Sequence, residues 1–333
     1  MLGLSKAAPQ SARFILPPDI EQGLSGLAPA LRTDVRQSIA LAFQDEETWQ
    51  NSALTGDGFP FEVCFHTGKD TFYWTADLAR GQSAQAQLVQ IAQTATRLGD
   101  PVSHPLMNEL ARLGIPHRAG SWLGGRHDAG KQMRCKLYTD WDDSAYCRSL
   151  FPALSLPKRL PNGARARVKG VGLGPGPDRA EIYFRFNHAT PRHMHHILDF
   201  AGLSHVSACA QAEAQAKAAG ALSAALKSSG MIASLAQDTA DGPVTVSFYF
   251  FPRTFWGNDR VCRRSFLSLL KSAGRNTSPY AAASSPLARL TRPKLYHGLI
   301  AFTVSPDGMV WGLGLRPMRA NFTHDYPETF GDL

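Results

Sequence analysis

The residue with the most pointed chemistry in this sequence is Glu62, set in the stretch Leu54–Leu78, LTGDGFPFEVCFHTGKDTFYWTADL. Gly56, Asp57 and Gly58 form a turn, and Pro60 precedes a run rich in aromatic and β-branched residues. His66, Thr67, Gly68 and Lys69 interrupt that run and Thr71 to Ala76 resumes it, which predicts a β-hairpin with a polar loop. Alternation puts Glu62, Cys64 and His66 on one face of the first strand and Phe61, Val63 and Phe65 on the other. An ionised carboxylate is costly to bury unpaired, so a Glu in so apolar a strand asks for a reason. Taken by itself, the hairpin reads most simply with Glu62 in solvent and the aromatic face in the core.

Other reactive residue types are weaker signals. His193 and His196 stand three apart at a helix start, near His188 and His195, but no carboxylate or Cys completes a zinc-type ligand set, so no metal site is expected. Gly172-x-Gly174-x-Gly176 does not lead from a strand into a helix and is no dinucleotide fingerprint. The five cysteines, Cys64, Cys135, Cys147, Cys209 and Cys262, are scattered and odd in number, which argues against a disulfide framework and suits a reducing cytoplasm. The net charge of +8 is not gathered into a Lys/Arg run, so neither nucleic acid nor a membrane surface is an expected partner. A few cations converging in a cavity on a phosphorylated small molecule would fit that balance equally well. No apolar run approaches the roughly 20 residues that span a bilayer.

The elements that must position these groups follow a regular plan. Glu21 to Gln44 has helical spacing, and Ser83 to Leu98 is a second amphipathic helix after the first hairpin. A short helix is expected at Asn108–Leu113. Strands are expected at Ser121–Leu123 and Gln132–Asp140 around a Gly124–Asp128 loop, then a short helix at Asp143–Leu150. Arg165–Leu173 and Arg179–Asn187 form the next pair, followed by a helix capped by Thr190-Pro191 and an Ala-rich helix at Ser207–Lys227. Met231–Gln237 pairs with Val244–Phe251, Asp259–Ala273 is helical, and Tyr296–Val304 with Met309–Leu315 closes the series. The result is five hairpins of α-β-β-α units, whose roughly ten strands should be antiparallel. A closed barrel ringed by helices would leave no sheet edges. The competing fold is a pair of α+β domains divided near Pro152–Pro161.

A turn, then Pro-x-Glu opening a strand, resembles the start of the aromatic prenyltransferases related to dimethylallyltryptophan synthase, the ABBA family. The resemblance runs from about Gln22 to Pro317. It implies one α+β barrel domain over residues 21–317, with a loose leader at 1–20 and a tail at 318–333. In that family the matching Glu lies inside the barrel and binds an indole N–H, helping to remove the proton, which would make Glu62 catalytic. Lys136-x-Tyr138 matches the Lys-x-Tyr signature of the family's strands, so both residues and Arg134 would face inward. Lys136 would hold the diphosphate or accept the ring proton, while Tyr138, Tyr183 and Tyr249 would shield an allylic cation.

The sequence departs from the family elsewhere. Glu181 stands where a Lys is usual, Thr245 and Ser247 replace an Arg and a Lys, Tyr73 takes the place of an Arg, and Gly312 and Gly314 replace a cation and a Tyr. Arg134, Lys136, Arg167, Lys169 and Arg185 are the cations that strand parity leaves to meet a diphosphate. They are expected to converge at one side of the cavity, although Arg165, Arg167 and Lys169 also read as coating a solvated strand end. The implied activity moves an allylic group from a prenyl diphosphate such as dimethylallyl diphosphate to an indole-type or phenolic acceptor, free or in a peptide, as in secondary metabolism. It needs no cofactor and no metal, and the protein would be a monomer or homodimer. Two other readings stay open: a barrel enzyme that no longer uses a prenyl diphosphate, such as a cyclase or acid/base catalyst on Glu62, and a non-enzymatic binding protein.

Overall fold

The computed structural model describes residues 18–27, 29–42, 52, 54, 60–68, 71–78, 83–101, 120–128, 130–140, 148–161, 163–174, 178–218, 221–239, 241–290 and 296–316. Most of the expected leader, the Gly56-Asp57-Gly58 turn, the Asn108–Leu113 helix, most of the Asp143–Leu150 helix and the tail lie outside the described residues. Ten strands close into one barrel in the order β1-β10-β9-β8-β7-β6-β5-β4-β3-β2, every neighbouring pair antiparallel. They are β1 (Phe61–His66), β2 (Thr71–Ala76), β3 (Ser121–Asp128), β4 (Arg134–Asp140), β5 (Arg167–Leu173), β6 (Ala180–Phe186), β7 (Met231–Gln237), β8 (Val244–Phe250), β9 (His297–Ser305) and β10 (Gly308–Leu315). Pro152–Pro161 thus connects β4 and β5, adjacent strands of one sheet, and is not a boundary between domains. The hairpin turns lie at one end of the barrel, and the segments that carry the helices return at the other.

Strand alternation decides what lies inside. On β1, Phe61, Val63 and Phe65 are buried against the helical layer, and Phe72, Trp74 and Ala76 of β2 do the same. Ile20 and Leu24 of α1 (Pro18–Ser25), Val35 and Ile39 of α2 (Pro29–Ala42) and Leu88 and Ile91 of α3 (Ala84–Arg97) join them in one core between barrel and helices. The single helix expected over Glu21–Gln44 is two, because Gly26 and Pro29 interrupt it. Ser83 caps α3 by accepting from the Ala86 N–H at 3.3 Å. Thr190 begins α4 (Pro191–Phe200) with a reciprocal cap, its N–H donating to His193 Nδ1 at 2.9 Å. The Ala-rich helix is also two, α5 (Ser204–Lys217) and α6 (Leu222–Ser229).

Two local devices fix the packing of neighbouring strands and helices. β3 runs on through Gly124 and Gly125 where a loop was expected, because these glycines make room for neighbouring rings. A Cβ on Gly125 would overlap the Trp74 indole, and one on Gly124 would stand 2.8 Å from Tyr138. The second device lies beyond the one-turn α7 (Pro252–Phe255), where Asp259 opens α8 (Asp259–Ser272) and holds the start of β9 from the helical layer. The Asp259 carboxylate accepts from the Tyr296 N–H at 3.0 Å and the His297 N–H at 3.1 Å, and it bonds His297 Nδ1 at 2.7 Å. Tyr280, in α9 (Ser278–Ala283), bonds the other ring nitrogen of His297 at 2.8 Å.

Candidate active site in the barrel lumen

Glu62 points into the barrel, where alternation and its core-facing neighbours Phe61 and Val63 leave it. Its carboxylate rests over the backbone of two glycines on adjoining strands. A Cβ on Gly298 of β9 would overlap one carboxylate oxygen, and a Cβ on Gly314 of β10 would overlap the other. Cys64 donates its thiol to Glu62 Oε1 at 3.5 Å. Burial pushes the Glu62 carboxyl up to about 7, with the thiol hydrogen bond offsetting a little of that shift. A carboxyl that changes charge near neutral pH suits proton transfer. The solvent-facing reading of Glu62 is thereby replaced: the residue lines the lumen.

Across the middle of the lumen, β4, β6 and β8 bring Lys136, Tyr138, Glu181, Tyr183 and Tyr249 together, with Glu181 toward the hairpin turns and Tyr249 toward the helix end. The rings of Tyr138 and Tyr183 are 6.1 Å apart and those of Tyr183 and Tyr249 are 6.0 Å apart, so the three form a continuous aromatic wall. Lys136 Nζ lies 4.5 Å from the Tyr138 ring centre, donates to the Tyr183 hydroxyl at 3.2 Å and pairs with the Glu181 carboxylate. Gly172 on β5 leaves space for it, since a Cβ there would meet the Lys136 chain at 2.6 Å. Burial lowers the Lys136 ammonium, and Glu181 offsets some of that. Burial also opposes charge on Glu181, yet Lys136 and Arg179 outweigh it and hold the carboxyl down to about 2.

The five expected cations do not share one site. Arg134 and Lys136 stand toward the hairpin-turn end, whereas Arg167, Lys169 and Arg185 stand toward the helix end. The reason is topological: β4 and β5 run antiparallel, so residues early in each strand lie at opposite ends. Arg167 sits directly across from Arg185, and burial with that like charge depresses the Arg185 guanidinium. A bulge between Val168 and Gly170 takes Lys169 out of the alternation, and its ammonium lies 3.3 Å from Asp140. Arg165 precedes β5, in an isolated bridge to Arg159.

Two cations at the hairpin end were not among those expected. Arg126, expected in a loop, is on β3, with its guanidinium 5.5 Å over the Tyr73 ring and its Nε 3.1 Å from Asp128. Arg134 approaches the same carboxylate at 4.0 Å. Arg179, one step of alternation before Glu181, pairs with Asp238. That two-residue step was a usable signal for Arg179. For Arg126, the Gly-Gly pair before it masked the strand. His66 lies tilted against Tyr73 with ring centres 4.3 Å apart, and burial and Arg126 hold it down to about 4.

Among the described residues no group of three or more His, Cys, Asp or Glu could hold a metal ion. His195 bonds Ser207 and lies 3.1 Å from Asp199, so this histidine works within the helical layer. No helix among the described residues is long and apolar enough to cross a membrane. No family model matches the sequence, and no curated protein matches it significantly. Solved structures do. The 5-dimethylallyltryptophan synthase from Streptomyces coelicolor, in complex with DMASPP and Trp, superposes with a TM-score of 0.68 at 18% identity, over 93% of this chain and 96% of that one. The fold is that of the aromatic prenyltransferases. A 6-dimethylallyltryptophan synthase from Micromonospora olivasterospora gives a TM-score of 0.66 at 15% identity, covering 91% of this chain and 98% of that one. AnaPT from Neosartorya fischeri gives 0.60 at 10% identity, over 94% and 95%. The ABBA barrel here thus shares its plan with proteins from both Streptomyces and Neosartorya.

Proposed function

We propose that the protein is an aromatic prenyltransferase that joins an allylic group from a prenyl diphosphate to an electron-rich aromatic ring, indole-type or phenolic. One observation carries this reading: a single closed lumen holds a carboxyl poised near neutrality, a wall of three tyrosines and a group of cations. Lys136 and Arg134, joined by Arg126 and Arg179, meet the diphosphate charge at the hairpin end, a role that side-chain cations can fill in a site of low dielectric. The C–O bond of the donor breaks with its electron pair leaving on the diphosphate. Tyr138, Tyr183 and Tyr249 present π-faces to the allylic cation, which stabilise it without attacking it. The acceptor ring attacks while Glu62 orients its N–H or O–H and stabilises the positive charge that develops there. The proton on the attacked carbon then leaves to the released diphosphate, which restores aromaticity.

Arg167 and Arg185, two like charges directly opposed at the helix end, suit the carboxylate of an amino acid or peptide acceptor. Support for the donor and acceptor classes comes from neighbours whose structures hold DMASPP with Trp, or L-tryptophan with dimethylallyl thiolodiphosphate. A second reading is favoured by one observation: Arg126, Arg134, Lys136 and Arg179 each already lie beside an acidic group. In it the barrel catalyses acid/base chemistry on Glu62 without a prenyl diphosphate. Incubation with dimethylallyl and geranyl diphosphate and a panel of tryptophan, indoles, phenols and a Trp-containing peptide separates them. Mass spectrometry should find acceptor plus one prenyl group with release of diphosphate. Absence of both product and saturable donor binding would leave the second reading standing.

A further inference from the structure

Glu181 is almost fully buried at the hairpin end of the lumen, where the prenyltransferase reading places the donor's diphosphate. From β4 it is faced by Lys136 and Tyr138, and from its own strand and the residue preceding that strand by Tyr183 and Arg179. Ser234 of β7 and Tyr249 of β8 complete its surroundings, and Asp238 stands behind Arg179. Among these groups Lys136 and Arg179 are the only cations: Lys136 pairs directly with Glu181, and Arg179, itself paired with Asp238, adds a nearby positive charge.

A prenyl diphosphate bound at this end draws on Lys136 and Arg179 together with Arg126 and Arg134. Its oxygens then stand beside a carboxylate that has lost its partner, in a site with little water to separate like charges. We infer, on the prenyltransferase reading, that Glu181 holds Lys136 until a prenyl diphosphate displaces it, whereupon it takes up one proton from solvent. The carboxylate and the proton become a neutral carboxyl whose O–H donates to a diphosphate oxygen, and the proton returns to solvent when diphosphate leaves. Glu181 is thus a positioning residue that makes donor binding depend on pH, favouring it as pH falls.

The test is calorimetry with unreactive dimethylallyl thiolodiphosphate between about pH 7.5 and 8.5, in two buffers of different ionisation enthalpy. For wild type the enthalpies should differ by the equivalent of about one proton taken up, and affinity should fall about tenfold per pH unit. Glu181→Gln should bind about tenfold tighter at the upper pH and lose both dependences. The wild-type measurement stands even if that variant folds poorly. Binding by wild type without proton uptake, or uptake that persists in a folded Glu181→Gln protein, overturns the inference alone. Absence of binding by both proteins overturns the prenyl diphosphate reading and this inference with it. Binding by the variant where wild type shows none supports the displacement.

Discussion

Replacing Glu62 by Gln tests the central residue through stability as well as activity. Burial moves its carboxyl from 4.5 to about 7. At about 1.4 kcal/mol per pH unit, that shift corresponds to roughly 3 kcal/mol, and the portion of its surface open to the lumen reduces the expectation to about 1–3 kcal/mol. The sign follows from the raised value. Between about pH 4.5 and 7 the native state keeps a proton that the unfolded chain has lost, so stability falls as pH rises through that window and levels off above it. Gln carries no such penalty. His66 and His127, both held down to about 4 by burial, push the other way below pH 6.5, so the comparison must be with the variant and not with the wild-type curve alone. Urea denaturation of both proteins at several values from about pH 5 to 8 should show wild type losing about 1–3 kcal/mol relative to Glu62→Gln. In the same proteins, turnover should fall by roughly 10²–10⁴-fold in the variant. Parallel stability curves would show that the carboxyl is not desolvated, and near-normal turnover at unchanged stability would remove Glu62 from the mechanism.

Gly314→Ala places a methyl group against Glu62 and should lower kcat by about 10²-fold through misplacement of the carboxyl, measured in steady-state assays. Lys136→Ala should weaken binding of dimethylallyl thiolodiphosphate by about 1.5–3 kcal/mol in calorimetry, whereas an unchanged affinity would place the diphosphate elsewhere. Arg167→Ala should raise KM for a carboxylate-bearing acceptor at least about tenfold and leave donor affinity nearly intact; the reverse pattern would move Arg167 to the donor site. Asp259→Ala removes the acceptor for two backbone N–H groups and the His297 ring, and should cost about 3 kcal/mol or more in urea denaturation.

Much of the fold was legible because hairpins advertise themselves locally. The alternation Phe61-Glu62-Val63-Cys64-Phe65-His66 assigns its own faces, and the turn at Ser305-Pro306-Asp307-Gly308 joins β9 to β10. What alternation does not carry is height along the barrel or interruption of the pairing. Lys136 and Arg167 both point inward by parity, yet they stand toward opposite ends because their strands run in opposite directions. The bulge that displaces Lys169 depends on how β5 meets β6, which no local pattern reveals. Gly124 and Gly125 read as a loop because their value as strand residues lies in the rings of Tyr138 and Trp74 that cover them from distant positions.

The barrel is sealed where β1 meets β10, pairing Cys64 with Gly314 from the first and last strands of the barrel. Glu62 is therefore among the first lumenal residues to be synthesised, while the glycine beneath it is among the last. At roughly 5–20 residues per second on a ribosome, an interval of about 10–50 s separates the two. Throughout it, the β1 edge has no partner on that side and an acidic side chain has no enclosed pocket to occupy. Catalytic competence should consequently appear abruptly once β10 is available to pair, and nascent chains arrested before β10 should expose the β1 edge to chaperones.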